Sequence, residues 1–236
     1  MLNKCKYFGN YFGVKSFRPT FAQQFGIFPH RFQKKSNKMK CKIIAKATDL
    51  FLRLGFKSVT MDDIATEMSI SKKTIYKYFE NKELLISEGT MMVHQKIHDT
   101  IEGIVAQNYN AIQENFEIRK MFREMFHSID QSPVYQLKKH YPEIYNEFMC
   151  REAEDCNTVF RQNMEKGIKE GLYRNNINID SYVQFYYTII FFINENTKSE
   201  KEVFELEYDA LEYHTRAIAT PKGILELDKH LHNTTP

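Results

Sequence analysis

From Met39 onward, apolar residues recur at the spacing of one face of an α-helix. Ile43, Ala47, Leu50, Phe51 and Leu54 fall at i, i+4, i+7, i+8 and i+11, and Gly55 stands where a helix C-terminal cap belongs. Thr60 and Asp63 have the spacing of a capping box and predict a short helix from Met61 to Met68. Ser69-Ile70-Ser71 reads as a tight turn, with Ser71 capping a third short helix over Lys72–Phe79. Asn81 caps a fourth, with Glu83 in the first turn where the helix dipole favours an anion. Leu85, Met92, Val93, Ile97, Ile101, Ile104 and Val105 extend that helix to about residue 106. Further helical stretches cover roughly 110–130, 134–140 and 142–170, broken near Pro133 and Pro142, and 175–180 forms a polar loop. Tyr182–Ile193 is apolar at ten of twelve positions, interrupted by Gln184 and Thr188. Such a helix must be buried in a core or against a partner. A last helix over Lys201–Ala219 is broken by Pro221-Lys222-Gly223, and the tail HLHNTTP reads as frayed. The pattern predicts an all-α chain.

Composition narrows the class. Among 236 residues, 42% are apolar and 27% charged, which excludes collagen-like, disordered and disulfide-scaffold proteins. No apolar run approaches the ~20 residues needed to cross a bilayer, so no membrane partner is expected. Cys5, Cys41, Cys150 and Cys156 form no CxxC pair, which points to free thiols and a cytoplasmic location. Charge is uneven: residues 1–38 carry eight basic side chains and no acid, 39–89 nine basic against seven acidic, and 90–236 sixteen against twenty-three. Residues 1–38 lack helical or strand periodicity, and three readings stand: a basic arm on DNA phosphates, a targeting peptide, or a disordered extension upstream of a start at Met39. The last is adopted, and the segment is left out of the fold.

Two short helices joined by a three-residue turn, spanning 60–79, have the dimensions of a helix-turn-helix. The second, SKKTIYKYF, holds three cations (Lys72, Lys73, Lys77), two hydroxyls (Ser71, Thr74), two tyrosines (Tyr76, Tyr78) and no acid. Ile75 and Phe79 suffice to pin it from behind. The remaining side chains supply cations and hydroxyls for phosphates and hydrogen-bonding groups for base edges in the major groove. Lys82 extends the cationic edge.

At this point Met39 to about Glu88 resembles the DNA-binding domain of the TetR/AcrR family of bacterial transcriptional regulators. The residues that carry the resemblance are ATDLFLRLGFKSVTMDDIA followed by MSISKKTIYKYFENKELL. The resemblance implies that Thr60, Tyr76 and Lys82 touch phosphates, that Lys72, Lys73, Thr74 and Lys77 face the groove, and that Ile64, Ala65, Ile75 and Phe79 pack. It also implies an N-terminal three-helix DNA-binding domain over 39–89, and a larger helical ligand-binding and dimerisation domain over 90–236. The partners expected are double-stranded DNA with a palindromic operator, a second copy of the chain, and a small apolar or amphipathic effector.

Pairing Tyr182–Ile193 with the helix after it across a two-fold axis would make a four-helix interface; the alternative is a central core helix of one chain. A pocket for the effector is assigned to Phe122, Met125, Phe126, Tyr145, Phe148, Phe185 and Tyr186. His94 and His98 share a helical face but have no HExxH context or cysteine partner, so they are read as exposed histidines, with no metal and no cofactor expected. An enzyme is the rival class, but GxGxxG, GxxxxGK[ST], GxSxG and HExxH are all missing. A helical interaction protein that keeps the fold without reading DNA is the other alternative.

Overall fold

The computed structural model describes residues 35–232, so the expectations for residues 1–34 lie outside the described residues. Among the described residues there are ten helices and no strand beyond two isolated bridges. They are α1 Lys35–Leu54, α2 Met61–Glu67, α3 Lys72–Tyr76, α4 Lys82–Val105, α5 Ala111–Phe126, α6 Pro133–His140, α7 Pro142–Lys169, α8 Ile179–Asn196, α9 Glu200–Ile218 and α10 Pro221–His232. Among the described residues no helix is long and apolar enough to cross a membrane.

The expected caps form. Thr60 Oγ1 accepts from the Asp63 N–H while Asp63 accepts from the Thr60 N–H, a complete capping box. Ser71 Oγ accepts from the Thr74 N–H and Asn81 Oδ1 from the Leu84 N–H. The end of α2 is a Schellman turn: Ile70 N–H reaches back to Ala65 C=O, Ser69 N–H to Thr66 C=O, and Ser69 sits at φ +53. The apolar stripe of α1 meets Ile64, Ala65, Ile75, Phe79, Leu85 and Ile86 in one closed core.

Three expectations are corrected. First, α1 begins at Lys35, four residues before Met39, so part of the excluded segment belongs to the first helix. Second, α3 ends at Tyr76 rather than Phe79: Tyr78 N–H bonds Ile75 C=O in a tightened i→i−3 turn, and the turn buries the Phe79 ring. Third, Lys201–Ala219 is not the last helix. Pro221 starts α10 instead of only ending α9: proline fits a first helical turn, and Thr220 Oγ1 accepts from the Gly223 N–H as the cap.

The first core also crosses the expected boundary at residue 89. Leu137 and Tyr145 pack into it, Phe56 N–H donates to Gln136 Oε1 at 3.1 Å, and Tyr141 O–H donates to Phe56 C=O at 3.2 Å. A second core holds Ile112, Met164, Tyr173, Val183, Leu211, Ile218 and Leu227. The apolar helix α8 buries Val183, Tyr186, Ile190 and Ile193 there, but leaves Phe185 60% and Phe192 67% exposed.

Candidate nucleic-acid interface and effector cavity

In α3, burial of Ile75 and Phe79 turns Lys73, Tyr76 and Lys77 to solvent. Lys73 and Lys77 enter no ion pair among the described residues, so both cations are available to an anion. The other expected contacts are partly engaged already. Lys72 Nζ donates to Asp62 Oδ2 at 2.7 Å on an exposed surface, where solvent screens such a pair and it yields readily. Ser71 Oγ and Thr74 Oγ1 lie 2.8 Å apart and hold each other beside the first turn. The Thr60 hydroxyl donates to Asp63 Oδ2 at 2.8 Å. Tyr78 is half-buried against the first core. Lys82 differs most from expectation. Its stem is half-buried, its amine donates to Lys57 C=O at 3.3 Å and stands over the rings of Phe51 and Tyr141, and burial lowers its pKa.

Behind this unit, α4 runs on into the body. Its contact with α1 is close at Gly89, where a β-carbon would come within 2.5 Å of Thr48 Oγ1. Thr48 and Gly89 also line one end of a cavity of about 190 Å³ between α1, α4, α5, α6, α7, α8 and α9.

Of the expected pocket residues, Phe122, Phe126, Phe148 and Tyr186 line that cavity. Three do not. Met125 sits on α5 outside the lining, Tyr145 is buried in the first core, and Phe185, about 100° around α8 from Tyr186, is exposed to solvent. The lining is mostly apolar, with Ile97, Ile101, Ile118, Val159 and Phe160 among it.

The polar lining had no counterpart in the sequence reading. Arg119 is ion-paired to Glu207, whose other oxygen accepts from Asn194 at 2.6 Å. Glu200 stands nearby, its Oε2 buried without a hydrogen-bond partner and its pKa pushed up to about 7 by burial, with Glu207 adding to the shift. Behind the lining, His214 stacks on Tyr186 at 4.3 Å, and burial pushes its pKa down to about 4. These residues meet across 88 positions of sequence in the case of Arg119 and Glu207, so no local pattern announces them. The spacing of His94 and His98, by contrast, was visible. Neither is an exposed histidine: both line the cavity wall against Glu152 and Asp155 of α7, and Glu152 raises the pKa of His94.

Comparison with known proteins fits this geometry. Residues 43–88 match the profile described as "Bacterial regulatory proteins, tetR family". IcaR of Staphylococcus aureus (strain Newman), a negative transcriptional regulator of the icaADBC biofilm operon, is 25% identical over 124 residues, 52% of this chain and 61% of IcaR. The chain thus spans about three-fifths of that relative's length. YdeS of Bacillus subtilis (strain 168), an uncharacterised transcriptional regulator of the helix-turn-helix type, is 29% identical over 64% of this chain and 75% of its own. Among solved structures, a transcriptional regulator from Cytophaga hutchinsonii superposes with a TM-score of 0.64 at 16% identity, covering 78% of this chain and 99% of that one. The reduced form of NemR from E. coli gives 0.62 at 18% identity, covering 78% and 100%. The matched segment holds α2, the Schellman turn and α3, the capped, acid-free unit described above, and over residues 43–88 the chain is similar to the tetR family of bacterial regulatory proteins.

Proposed function

We propose that the chain is a cytoplasmic, homodimeric DNA-binding regulator, a repressor released from a palindromic operator by a small molecule. The observation that carries this is α3. It is an acid-free helix fixed from behind by Ile75 and Phe79, with Lys73, Tyr76 and Lys77 turned outward and a free N-terminal end capped by Ser71. Lys73 and Lys77 supply cations to the groove and its phosphates, Tyr76, Thr74 and Thr60 supply hydroxyls, and Lys72 joins them by exchanging Asp62 for a phosphate. Lys82, already tied to Lys57 C=O, acts more as a brace under the turn than as a phosphate contact.

A second copy supports reading a palindrome, since one short helix spans few base pairs and two at 34–36 Å read adjacent turns. Phe185 and Phe192 on α8 with Leu206 and Tyr213 on α9, each pair seven residues apart, form the exposed apolar stripe on which the copies would meet. The cavity, with aromatic walls and the Arg119–Glu207 pair at one side, suits an apolar molecule with a polar end. Effector binding would change DNA affinity through α4, which reaches from the cavity to the cap beside α3, and only as far as the effector prefers one spacing of the two units.

The test is binding of the full chain to the DNA upstream of its own gene across a salt series. Specific binding should weaken steeply with salt. Lys77→Glu should abolish it while leaving the oligomeric state and melting temperature unchanged. Unaltered affinity in that variant would remove α3 from the groove and favour an interaction protein that keeps the fold.

A further inference from the structure

On the cavity wall, two histidines one turn apart on α4 face two carboxylates one turn apart on α7. His94 Nε2 lies 3.0 Å from Glu152 Oε2 and 3.4 Å from Asp155 Oδ2, and His98 Nε2 lies 3.3 Å from that same Asp155 oxygen. The donor atoms of His94, His98 and Asp155 all fall within 4.8 Å of one another. Bonds of about 2.05 Å to a tetrahedral ion set its ligand atoms about 3.3 Å apart, which the three imidazole–carboxylate separations match, while the two imidazoles must draw together by a side-chain rotation. His94 Nε2 is also buried without forming a hydrogen bond, although two carboxylate oxygens stand within 3.4 Å. A metal-bound imidazole is unprotonated, so with an ion in place the two carboxylates supply the two negative charges that a divalent cation neutralises.

We propose that this cluster is a binding site for a divalent cation of the zinc class, held by Nε2 of His94, Nε2 of His98 and a carboxylate oxygen of Asp155, with Glu152 as the fourth ligand. Two imidazoles with carboxylates suit zinc, cobalt or nickel, whereas magnesium and calcium prefer oxygen alone and cuprous copper prefers sulfur. Cys156 is not a ligand. Its thiol donates to Glu152 Oε1 at 3.1 Å and thereby turns Oε2 toward His94. The ion would fasten α7 to the middle of α4, the helix that continues to the Asn81 cap. The site stands on its own geometry and does not depend on α3 reading DNA.

The test uses the full chain without a polyhistidine tag, stripped with a chelator and titrated with Co²⁺. One ion per chain should bind, with the intense visible bands of four-coordinate cobalt, and Zn²⁺ should displace it while a hundredfold excess of Mg²⁺ should not. By calorimetry, His98→Gln and Asp155→Asn should each weaken Zn²⁺ binding by about a hundredfold or more, and Cys156→Ser by roughly tenfold. Zn²⁺ should raise the melting temperature of the parent chain and leave that of Asp155→Asn in place. Three results would overturn the proposal: no stoichiometric Co²⁺ binding by the parent chain, a weak six-coordinate spectrum, or Zn²⁺ affinity untouched in both variants. The last would assign the ion to other histidines, such as His230 on α10. Because Asp155→Asn keeps the side chain's shape, it serves if His98→Gln does not fold.

Discussion

The N-terminal unit and the body start their helices with the same kind of local cap but differ in how far their buried polar contacts reach. In the unit, each polar contact that fixes a helix start reaches only three residues: Thr60 to Asp63, Ser71 to Thr74, Asn81 to Leu84. In the body, buried polar groups reach much further. Arg119 pairs with Glu207, Asn163 donates to Glu114 and to Ala111 C=O, and Lys166 donates to Glu114. Contacts of the first kind form in an isolated segment and can carry a preset surface. The second kind exist only when the body is closed, so the body can surround a cavity with charge, and its stability is tied to how that charge is matched.

The largest test of this difference is Arg119→Met. The guanidinium is mostly buried, and its removal leaves Glu207 charged with Asn194 donating to it and Glu200 nearby. The cost should be about 3–5 kcal/mol, read by chemical denaturation, and Arg119→Met/Glu207→Met should recover most of it. If the single variant costs less than about 1 kcal/mol, the pair is solvated and the contrast between the regions collapses.

Where the two regions meet, Gly89→Ala should cost about 1–3 kcal/mol, because its β-carbon would fall on Thr48 Oγ1, a short branched side chain with one preferred rotamer or two in a helix. Thr48 Oγ1 has no hydrogen bond to lose, so Gly89→Ala/Thr48→Ala should restore much of the stability. A double variant as unstable as the single would place the clash in the backbone of α1 instead.

How much of this was legible follows from the reach of the contacts. The capping box, the tight turn after α2 and the backing residues Ile75 and Phe79 lie within a few positions of what they fix, so the sequence pattern shows them, although not that the turn is of the Schellman kind. The aromatic cavity walls were found in part, since helical spacing marks Phe122 and Phe126 as inward without saying which neighbour they meet. Phe185 was misplaced because a helix apolar all round gives no sign of which side faces its own core. Arg119, Glu200 and Glu207 were invisible: a charge on an amphipathic helix reads as solvated until the partner helix is in place. The present partner of Lys82 is equally hidden in the sequence, as its amine finds Lys57 C=O twenty-five positions away.

A smaller effect separates the two regions by pH. Glu200 titrates near 7 in the folded chain against an ordinary 4.5, so the fold holds a proton that the unfolded chain has released. Stability on this account is full below about pH 4.5 and is lost as pH rises to 7. His214 works the other way: folded near 4 against 6.5, it contributes stability above pH 6.5 that is lost on acidification toward 4. The two slopes oppose each other. Glu200→Gln should therefore raise the melting temperature by a few degrees at pH 8 and by little at pH 4.5, and leave a chain that weakens more steeply on acidification. Equal gains at both values would mean that the carboxyl is solvated.

The smallest expected effect lies in the unit whose contacts are local. Ser69 holds φ +53 at the turn between α2 and α3, in a region that costs an L-residue roughly 1–2 kcal/mol and glycine nothing. Glycine adds backbone entropy to the unfolded chain, so Ser69→Gly should gain only about 0.5–1 kcal/mol. The Schellman bonds from Ser69 and Ile70 are made by backbone N–H groups and survive the change. The angle between α2 and α3, and with it the placement of Lys73 and Lys77, should hold, and operator affinity should stay within about twofold. A variant that is more stable yet binds DNA many times more weakly would show that serine stiffens the turn for a purpose. Local bonds alone would then not preset the DNA-facing surface, and the division between locally fixed turns and a mutually dependent body would have to be redrawn at this turn.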